Sequence, residues 1–170
     1  MGAERRRRGT TLLELLVVVV ILAVLAGAVG LAAGLARRPS PEQAARDRLA
    51  RGLALACERA RLGGLDHGLL IDKGGYAFAF FDGTAWQRYG SGEDAPLAPG
   101  EWPEGVRPEL LRQGIAVTLP ERAERPEIAC TGSGELSPFE LALRPARGEG
   151  APRLRGALDG RLERLGGDRR

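Results

Sequence analysis

An unbroken apolar run lies near the N-terminus of the chain. It extends from Leu15 to Ala36 without a charged residue. A helix of this length, at roughly 1.5 Å rise per residue, reaches about 33 Å, which is enough to cross the hydrocarbon core of a bilayer. The four arginines at positions 5–8 precede the run and place the N-terminus on the cytoplasmic side. The pattern therefore predicts a membrane helix.

A second, amphipathic helix is predicted directly after the apolar run. Residues 40–43 carry a capping-box pattern in which Ser40 is the N-cap. Apolar residues then recur at helical spacing as far as the glycine pair at 63–64, which ends the helix. The two segments together predict one long N-terminal helix, with Pro39 as the place for a kink.

Beyond residue 64 the apolar period changes from helical to alternating, which predicts strands. The strands form a first group at 69–72, 76–81 and 85–89, and a second group at 115–119, 128–130, 139–143, 154–158 and 161–165. The aromatic residues concentrate in the first group, and we interpret them as core. The order predicts an α+β fold, with a long N-terminal helix packed on antiparallel β-sheets. Residues 90–113 are predicted to be a long loop, which is often where a partner docks.

The residues around Gly9 resemble the class III signal of type IV pilins and type II secretion pseudopilins. The resemblance consists of a basic leader, Gly9, and the residues 12–15 (Leu-Leu-Glu-Leu) ahead of the apolar helix. It implies that a prepilin peptidase cleaves after Gly9 and methylates the new amino group of Thr10. It also makes Glu14 the fifth residue of the mature chain. Thr10 departs from the family, which usually has Phe or Met at this position.

Glu14 is a carboxylate at the start of the apolar helix. A carboxylate in a membrane helix costs on the order of 2.5–3.5 kcal/mol at mid-depth and less near the interface, so Glu14 requires a positive partner. The amino group of Thr10, released by cleavage, supplies one in the same chain or in a neighbouring subunit. Glu14 is therefore the candidate residue for subunit register and assembly. An ordinary secretory signal, a twin-arginine signal and a plain signal anchor each explain only part of the segment.

Later motifs resemble the H-type minor pseudopilins of type II secretion, the GspH family. These motifs are the hairpin at 82–86, the segment 102–106 and the stretch 128–139. The resemblance implies a minor pseudopilin, which is a structural subunit at or near the tip of the periplasmic pseudopilus. One alternative is a minor pilin of a type IV pilus that acts in assembly, adhesion or DNA uptake. Another is a membrane-anchored periplasmic domain unrelated to filaments.

The resemblance also implies an organisation, a location and partners. The segments are a prepilin leader at 1–9, a transmembrane helix half at 10–38, a periplasmic helix half at 39–64, an antiparallel β domain at 65–166 and a loose tail at 167–170. The chain is then a single-pass protein of the bacterial inner membrane with its C-terminal domain in the periplasm. Its implied partners are the prepilin peptidase, the major pseudopilin, the other minor pseudopilins and the inner-membrane assembly platform.

The charge balance argues against nucleic acid as a partner. The 25 basic and 22 acidic residues give a formal net charge of +3, and residues 1–9 account for all of it. The remainder of the chain is balanced, although Arg144, Arg147, Arg153 and Arg155 form a local basic run. Strong non-specific binding to phosphates requires clustered Lys and Arg without such a balance.

The chain shows no pattern of catalytic chemistry. His67 is the only histidine, and we interpret it as a surface or turn residue. No catalytic triad, metal-binding or nucleotide-binding motif can be assembled from the sequence. We therefore expect a structural protein, not an enzyme, with no cofactor and no metal.

The two cysteines, Cys57 and Cys130, leave two interpretations open. Outside the inner membrane a disulfide between them is permitted. They lie, however, in a predicted helix and a predicted strand of unknown separation. We therefore favour two free thiols over a disulfide.

Overall fold

A computed structural model describes residues 12–36, 39–90, 92, 96–147 and 150–166. The chain divides into two compact units, Met1–Arg38 and Pro39–Arg170. The first unit contains helix α1 (Leu12–Ala36), and the second begins with helix α2 (Pro41–Gly63). The predicted single helix is thus two helices, and Pro39 and Ser40 belong to neither. The predicted leader and tail lie outside the described residues.

The start and the end of α2 follow the sequence signals. The Ser40 hydroxyl accepts a hydrogen bond from the Gln43 backbone N–H at 3.3 Å, and the Gln43 side chain accepts one from the Ser40 N–H at 2.9 Å. Pro41 occupies the first turn, where its missing N–H would have had no helical partner. Gly64 ends the helix with a φ of 67°, a left-handed conformation that glycine adopts without strain. The predicted capping box is confirmed.

The strands of the described chain form two antiparallel sheets. In chain order they are β1 (His67–Ile71), β2 (Gly75–Phe81), β3 (Trp86–Arg88), β4 (Gly100–Glu101), β5 (Val106–Arg112), β6 (Ile115–Val117), β7 (Ile128–Cys130), β8 (Phe139–Pro145), β9 (Arg153–Gly156) and β10 (Leu162–Leu165). The first sheet has the order β3-β2-β1-β7, with β4 also paired to β2, and the second has the order β10-β9-β8-β5-β6. The predicted α+β architecture is confirmed.

The segment 90–113 is not the long loop that the sequence predicted, because it contains β4 and β5. The sequence of β5 did not predict a strand, because Pro108 and the charged residues on either side of it are typical of a loop. In the structure Pro108 lies opposite Leu143, whose N–H bonds to the Pro152 carbonyl at 3.0 Å, on the side away from β5. No ladder bond is required of Pro108 at this position, and a proline therefore fits the strand.

β7 belongs to the first sheet, whereas its place in the chain had suggested the second group. It pairs with β1, with Cys130 opposite His67. This register brings Cys130 next to α2, where it forms a disulfide with Cys57 across a Cα–Cα distance of 5.1 Å. The expectation of two free thiols is therefore wrong. The separation of helix and strand, which the sequence left unknown, is fixed by the pairing of β7 with β1.

One apolar core lies between α2 and the inner faces of both sheets. Its largest fully buried side chains include Leu49, Leu53, Leu69, Ile71, Phe78, Leu110, Leu141 and Leu154. Tyr76 and Phe78 belong to this core, as predicted for the aromatic residues, but Phe80, Phe81, Trp86 and Tyr89 are only partly buried. The core therefore joins the helix to both sheets.

Gly52 sets the distance between α2 and the first sheet. A Cβ atom built on Gly52 would lie 2.5 Å from the Phe78 ring and 2.5 Å from the Pro96 carbonyl oxygen. These contacts are too short for any side chain. The helix can approach β2 this closely only because residue 52 is glycine.

We predict that Gly52→Ala destabilises the domain even though alanine is the better helix former. Overpacking of this kind typically costs about 1–3 kcal/mol, which exceeds the gain of roughly 1 kcal/mol in helix propensity. Thermal unfolding of the full chain in detergent, followed by circular dichroism, should show a lower Tm. Gly63→Ala is the matched control, since a Cβ there meets nothing within 4 Å. Equal Tm values for the two variants would contradict the prediction.

We also predict that loss of the disulfide weakens the domain. The bond closes a loop with a sequence separation of 73 residues, and the chain-entropy model gives about 4 kcal/mol for a loop of this size. Urea unfolding of the Cys57→Ser/Cys130→Ser double variant should show a lower midpoint than the oxidised protein. Reductant should lower the midpoint of the oxidised protein and leave the double variant unchanged. A midpoint that does not respond to reductant in either protein would exclude a structural role.

Candidate functional site

The N-terminal assembly site predicted from the sequence is only partly described. Gly9 and Thr10 lie outside the described residues. Glu14 lies in the first turn of α1, where the helix dipole favours a negative charge. Glu14 therefore lies at the N-terminal end of α1, which is the end nearest in sequence to the predicted cleavage point.

The side chains of α1 between Leu12 and Gly27 are exposed along the whole of this stretch. The large apolar ones include Leu12, Leu13, Leu16, Val19, Leu22 and Leu25. A helix that is apolar on every side presents no polar face to water. No helix in the described part of the chain meets the length and apolarity of a membrane span.

His67 is buried, with 5% of its surface exposed, at the start of β1. The interpretation as a surface or turn residue is therefore wrong. Its Nδ1 lies 3.1 Å from the Tyr89 hydroxyl, and the two rings stack with centroids 6.0 Å apart. The guanidinium of Arg59, from α2, lies 5.7 Å from the centre of the Tyr89 ring. The histidine is thus a packed residue between the helix and the first sheet.

Burial lowers the pKa of His67 below its usual value, because the charged imidazolium would lose its hydration. The positive charge of Arg59 lowers this pKa further, and the carboxylate of Asp66 partly opposes the shift. The neutral imidazole is consequently the form that the fold favours. Among the described residues no group of three His, Cys, Asp or Glu side chains is placed to hold a metal ion.

The predicted docking loop at 90–113 presents no free aromatic side chain at Trp102. Trp102 is 9% exposed, and its indole Nε1 donates to the Asp72 carbonyl at 2.9 Å. Its ring lies 5.4 Å from the ring of Tyr76. Trp102 therefore closes one end of the core.

The outer face of the second sheet carries a ladder of opposite charges. Glu140 accepts from Arg153 at 3.2 Å and from Arg155 at 3.0 Å, and the side chains of Arg144 and Glu109 lie 2.5 Å apart. Each exposed pair contributes roughly 0–1 kcal/mol. Together, however, they place a carboxylate beside three of the four arginines that the sequence shows between 144 and 155.

A groove of about 670 Å³ lies beside this ladder and follows β5. Its apolar lining includes Val106, Pro108, Leu111, Ala116, Val117 and Leu119. Its charged lining consists of Lys73, Arg107, Glu109, Glu140, Arg144 and Arg153. A cleft that combines apolar lining with charged groups has the character of a binding site.

This groove was not predicted from the sequence, because its residues come from distant segments. The ladder depends on the pairing of β5 with β8, whose strands are separated by β6 and β7. The only available signal was the alternation of charged and apolar residues at 106–112, which marks a strand with one outer face. Pro108 in this segment favoured a loop over a strand, so the alternation was not interpreted as a strand.

Known proteins resemble both parts of the chain, the N-terminal segment in sequence and the domain in fold. Residues 5–30 match the family model described as the prokaryotic N-terminal methylation motif. The structure is similar to two structures of the minor pseudopilin EpsH from the type II secretion system of Vibrio cholerae, each with a TM-score of 0.63 and 22% identity. These matches cover 77% and 75% of this chain and 99% and 97% of the EpsH chains.

The solution structure of Escherichia coli GspH is also similar, with a TM-score of 0.55 and 20% identity over 72% of this chain and 86% of the GspH chain. No curated protein sequence matches this chain. The chain therefore carries the prokaryotic N-terminal methylation motif ahead of its folded domain. That domain has the fold of the GspH-type minor pseudopilins.

We predict that His67 makes stability depend on pH. Its folded pKa lies below the unfolded value of 6.5, so the unfolded state binds a proton first as the pH falls. Stability should therefore be complete above pH 7 and decline as the pH drops below about 6.5, by at most about 1.4 kcal/mol per pH unit.

Urea unfolding between pH 7.5 and 5.5 measures this slope. His67→Gln keeps a polar partner for Tyr89 but does not titrate, so its slope in this range should be nearly flat. Because His67 is the only histidine, an identical slope in both proteins would assign the effect to other groups.

Proposed function

We propose that this chain is a minor pseudopilin, a structural subunit at or near the tip of the periplasmic pseudopilus of a type II secretion system. One observation carries the proposal: a prepilin-type methylation motif at residues 5–30 precedes a domain with the fold of EpsH. The motif alone is common to pilins and pseudopilins, and a fold alone does not specify a function. The two features in this order along one chain are those of a pseudopilin.

The N-terminus is the site of processing. A prepilin peptidase cleaves between Gly9 and Thr10 and methylates the Thr10 amino group. The chemistry belongs to that peptidase, and this chain is its substrate. The subunit itself then acts without catalysis, cofactor or metal.

Residues 10–38 anchor the mature chain in the bacterial inner membrane. The exposed apolar side chains of α1 support this assignment, because a lipid environment would cover them on every side. In this organisation the leader is 1–9, the periplasmic helix is 39–64, the β domain is 65–166 and the tail is 167–170. A periplasmic domain is also consistent with the disulfide, since the periplasm is oxidising.

Glu14 fixes the register between subunits. In a bundle of apolar helices, its carboxylate faces the Thr10 amino group of a neighbour, and the two charges neutralise each other where the dielectric constant is low. Such a pair specifies the axial position of one helix against the next more than it adds net stability. The neighbours are the major pseudopilin and other minor pseudopilins, recruited at the inner-membrane assembly platform.

The alternative of a DNA-binding minor pilin has less support. It depended on the basic run that includes Arg144, Arg153 and Arg155. Each of these arginines lies within ion-pair distance of Glu109 or Glu140. A surface whose cations already have carboxylate partners releases few counterions on binding phosphate, so its affinity for nucleic acid is low.

Intact mass and N-terminal sequencing of the membrane-extracted protein test the proposal. In a host with a prepilin peptidase, we expect a chain that starts at N-methylated Thr10. Gly9→Val should leave the full-length chain, because it removes the residue before the cleaved bond. A wild-type chain that starts at Met1 would favour a simple membrane anchor, and one that starts after Ala28 would indicate an ordinary signal peptide.

Glu14→Ala tests the register. Membrane insertion should be unchanged, because the substitution removes a charge from an apolar helix. Co-purification with the other pseudopilins should fall roughly tenfold, which corresponds to a loss of about 1.4 kcal/mol. Glu58→Ala, at an exposed position of α2, is the matched control and should assemble normally. Normal assembly of Glu14→Ala would count against the register.

A further inference from the structure

One edge of β5 has no strand partner in the described part of the chain. β8 pairs along the whole strand, but β6 pairs only with Leu110–Arg112, which leaves Val106–Glu109 unpaired on that side. The groove runs along this edge. Thr118 and Leu119 also line the groove, and the next residue, Pro120, accepts a 3.0 Å hydrogen bond from the Lys73 N–H at its carbonyl.

The open edge offers carbonyl oxygens but no amide donors. Pro108 lies opposite Leu143, whose N–H bonds to Pro152 on the far side of β8. In an antiparallel ladder this makes a pair without mutual hydrogen bonds, so the carbonyls of Pro108 and Val106 point towards the open edge. Pro108 has no N–H, and the N–H of Val106 is already bonded to the Pro103 carbonyl at 3.0 Å.

This pattern decides what can pair with the edge. A second copy of the chain would bring the same edge, and carbonyl oxygens would then face carbonyl oxygens. Growth of the sheet by self-association is therefore blocked, which is a known way of protecting an edge strand. An extended segment of a different protein, with free backbone N–H groups, can pair.

The charges beside the open edge of β5 indicate which charge the partner segment should carry. Arg107 lies directly opposite Arg144 on the outer face, and like charges opposite each other are destabilising. Arg144 has Glu109 as a partner. The Arg107 side chain is exposed and forms no ion pair or hydrogen bond within the described residues. A carboxylate brought by the partner would pair with Arg107 and relieve the repulsion.

We propose that this groove binds an extended, acidic segment of a different protein, which lies along the open edge of β5 and places a carboxylate on Arg107. Its apolar side chains rest on Leu111, Ala116 and Ala142 in the groove. The inference deepens the proposed function, because an assembly of different subunits is the setting in which such a partner would be met.

Photo-cross-linking of the full chain in its own host tests the inference. A photoreactive amino acid at Thr118, which lines the groove, should cross-link to a segment of another protein that contains Asp or Glu, mapped by mass spectrometry. Arg107→Glu should lower the yield about tenfold. Arg125→Glu, at an exposed arginine outside the groove, is the matched control and should leave the yield unchanged.

A charge swap then completes the test. Replacing the partner's mapped carboxylate with arginine should restore the cross-link in the Arg107→Glu protein. A cross-link to a second copy of this chain, to lipid or to nothing would overturn the inference, as would a yield that ignores Arg107→Glu. The intact mass of the same sample reports cleavage at Gly9, so a processed chain without the cross-link would refute the groove and leave the proposed function standing.

Discussion

The apolar face of α2 is the surface on which both sheets pack, and the rest of the domain depends on that contact. Leu49 and Leu53 reach the inner faces of the sheets, and Gly52 lets the helix approach Phe78. The disulfide between Cys57 and Cys130 then holds the helix to β7. Hydrophobic burial supplies the attraction, while the missing side chain at position 52 sets the distance at which it acts. Within the described part of the domain, neither sheet has an alternative helix against which to close.

Features encoded by neighbouring residues were predictable from the sequence, and features encoded by pairing were not. The capping box of α2 and the hairpins of the first sheet are local signals, and the structure contains them. The membership of β7 in the first sheet depends on its register with β1, which no local pattern records. The disulfide and the burial of His67 follow from that same register, so all three were missed together. β5 was missed for the opposite reason: its local pattern, with Pro108 in the middle, was misleading because an open edge tolerates a proline. For the N-terminal site, the motif was predictable, whereas Gly9 and Thr10 themselves lie outside the described residues.

Charge has different roles on the two faces of the second sheet. On the inner side Arg164 reaches Asp47 of α2 at 3.3 Å, which adds an ion pair at the rim of the core. On the outer side three glutamates, Glu109, Glu140 and Glu163, balance the three arginines at 144, 153 and 155, and Arg107 is left over. Since exposed pairs contribute little to stability, the outer ladder matters more for what the face attracts or repels. A nearly neutral face with one unbalanced cation discriminates among partners by the position of a single carboxylate.

The disulfide also makes the domain a closed ring. Residues 57–130 contain every strand of the first sheet together with β5 and β6, while β8, β9 and β10 lie beyond the ring. A protease that cuts the turns between β3 and β4, or the segment between β6 and β7, opens the ring without releasing a fragment, because the two pieces remain joined through sulfur. A cut between β8 and β9, by contrast, leaves the last two strands attached only by hydrogen bonds, ion pairs such as Arg164–Asp47, and the packing of Leu154 in the core. The disulfide thus keeps the domain in one covalent piece after a single cut within residues 57–130, whereas after a cut between β8 and β9 only non-covalent contacts hold β9 and β10.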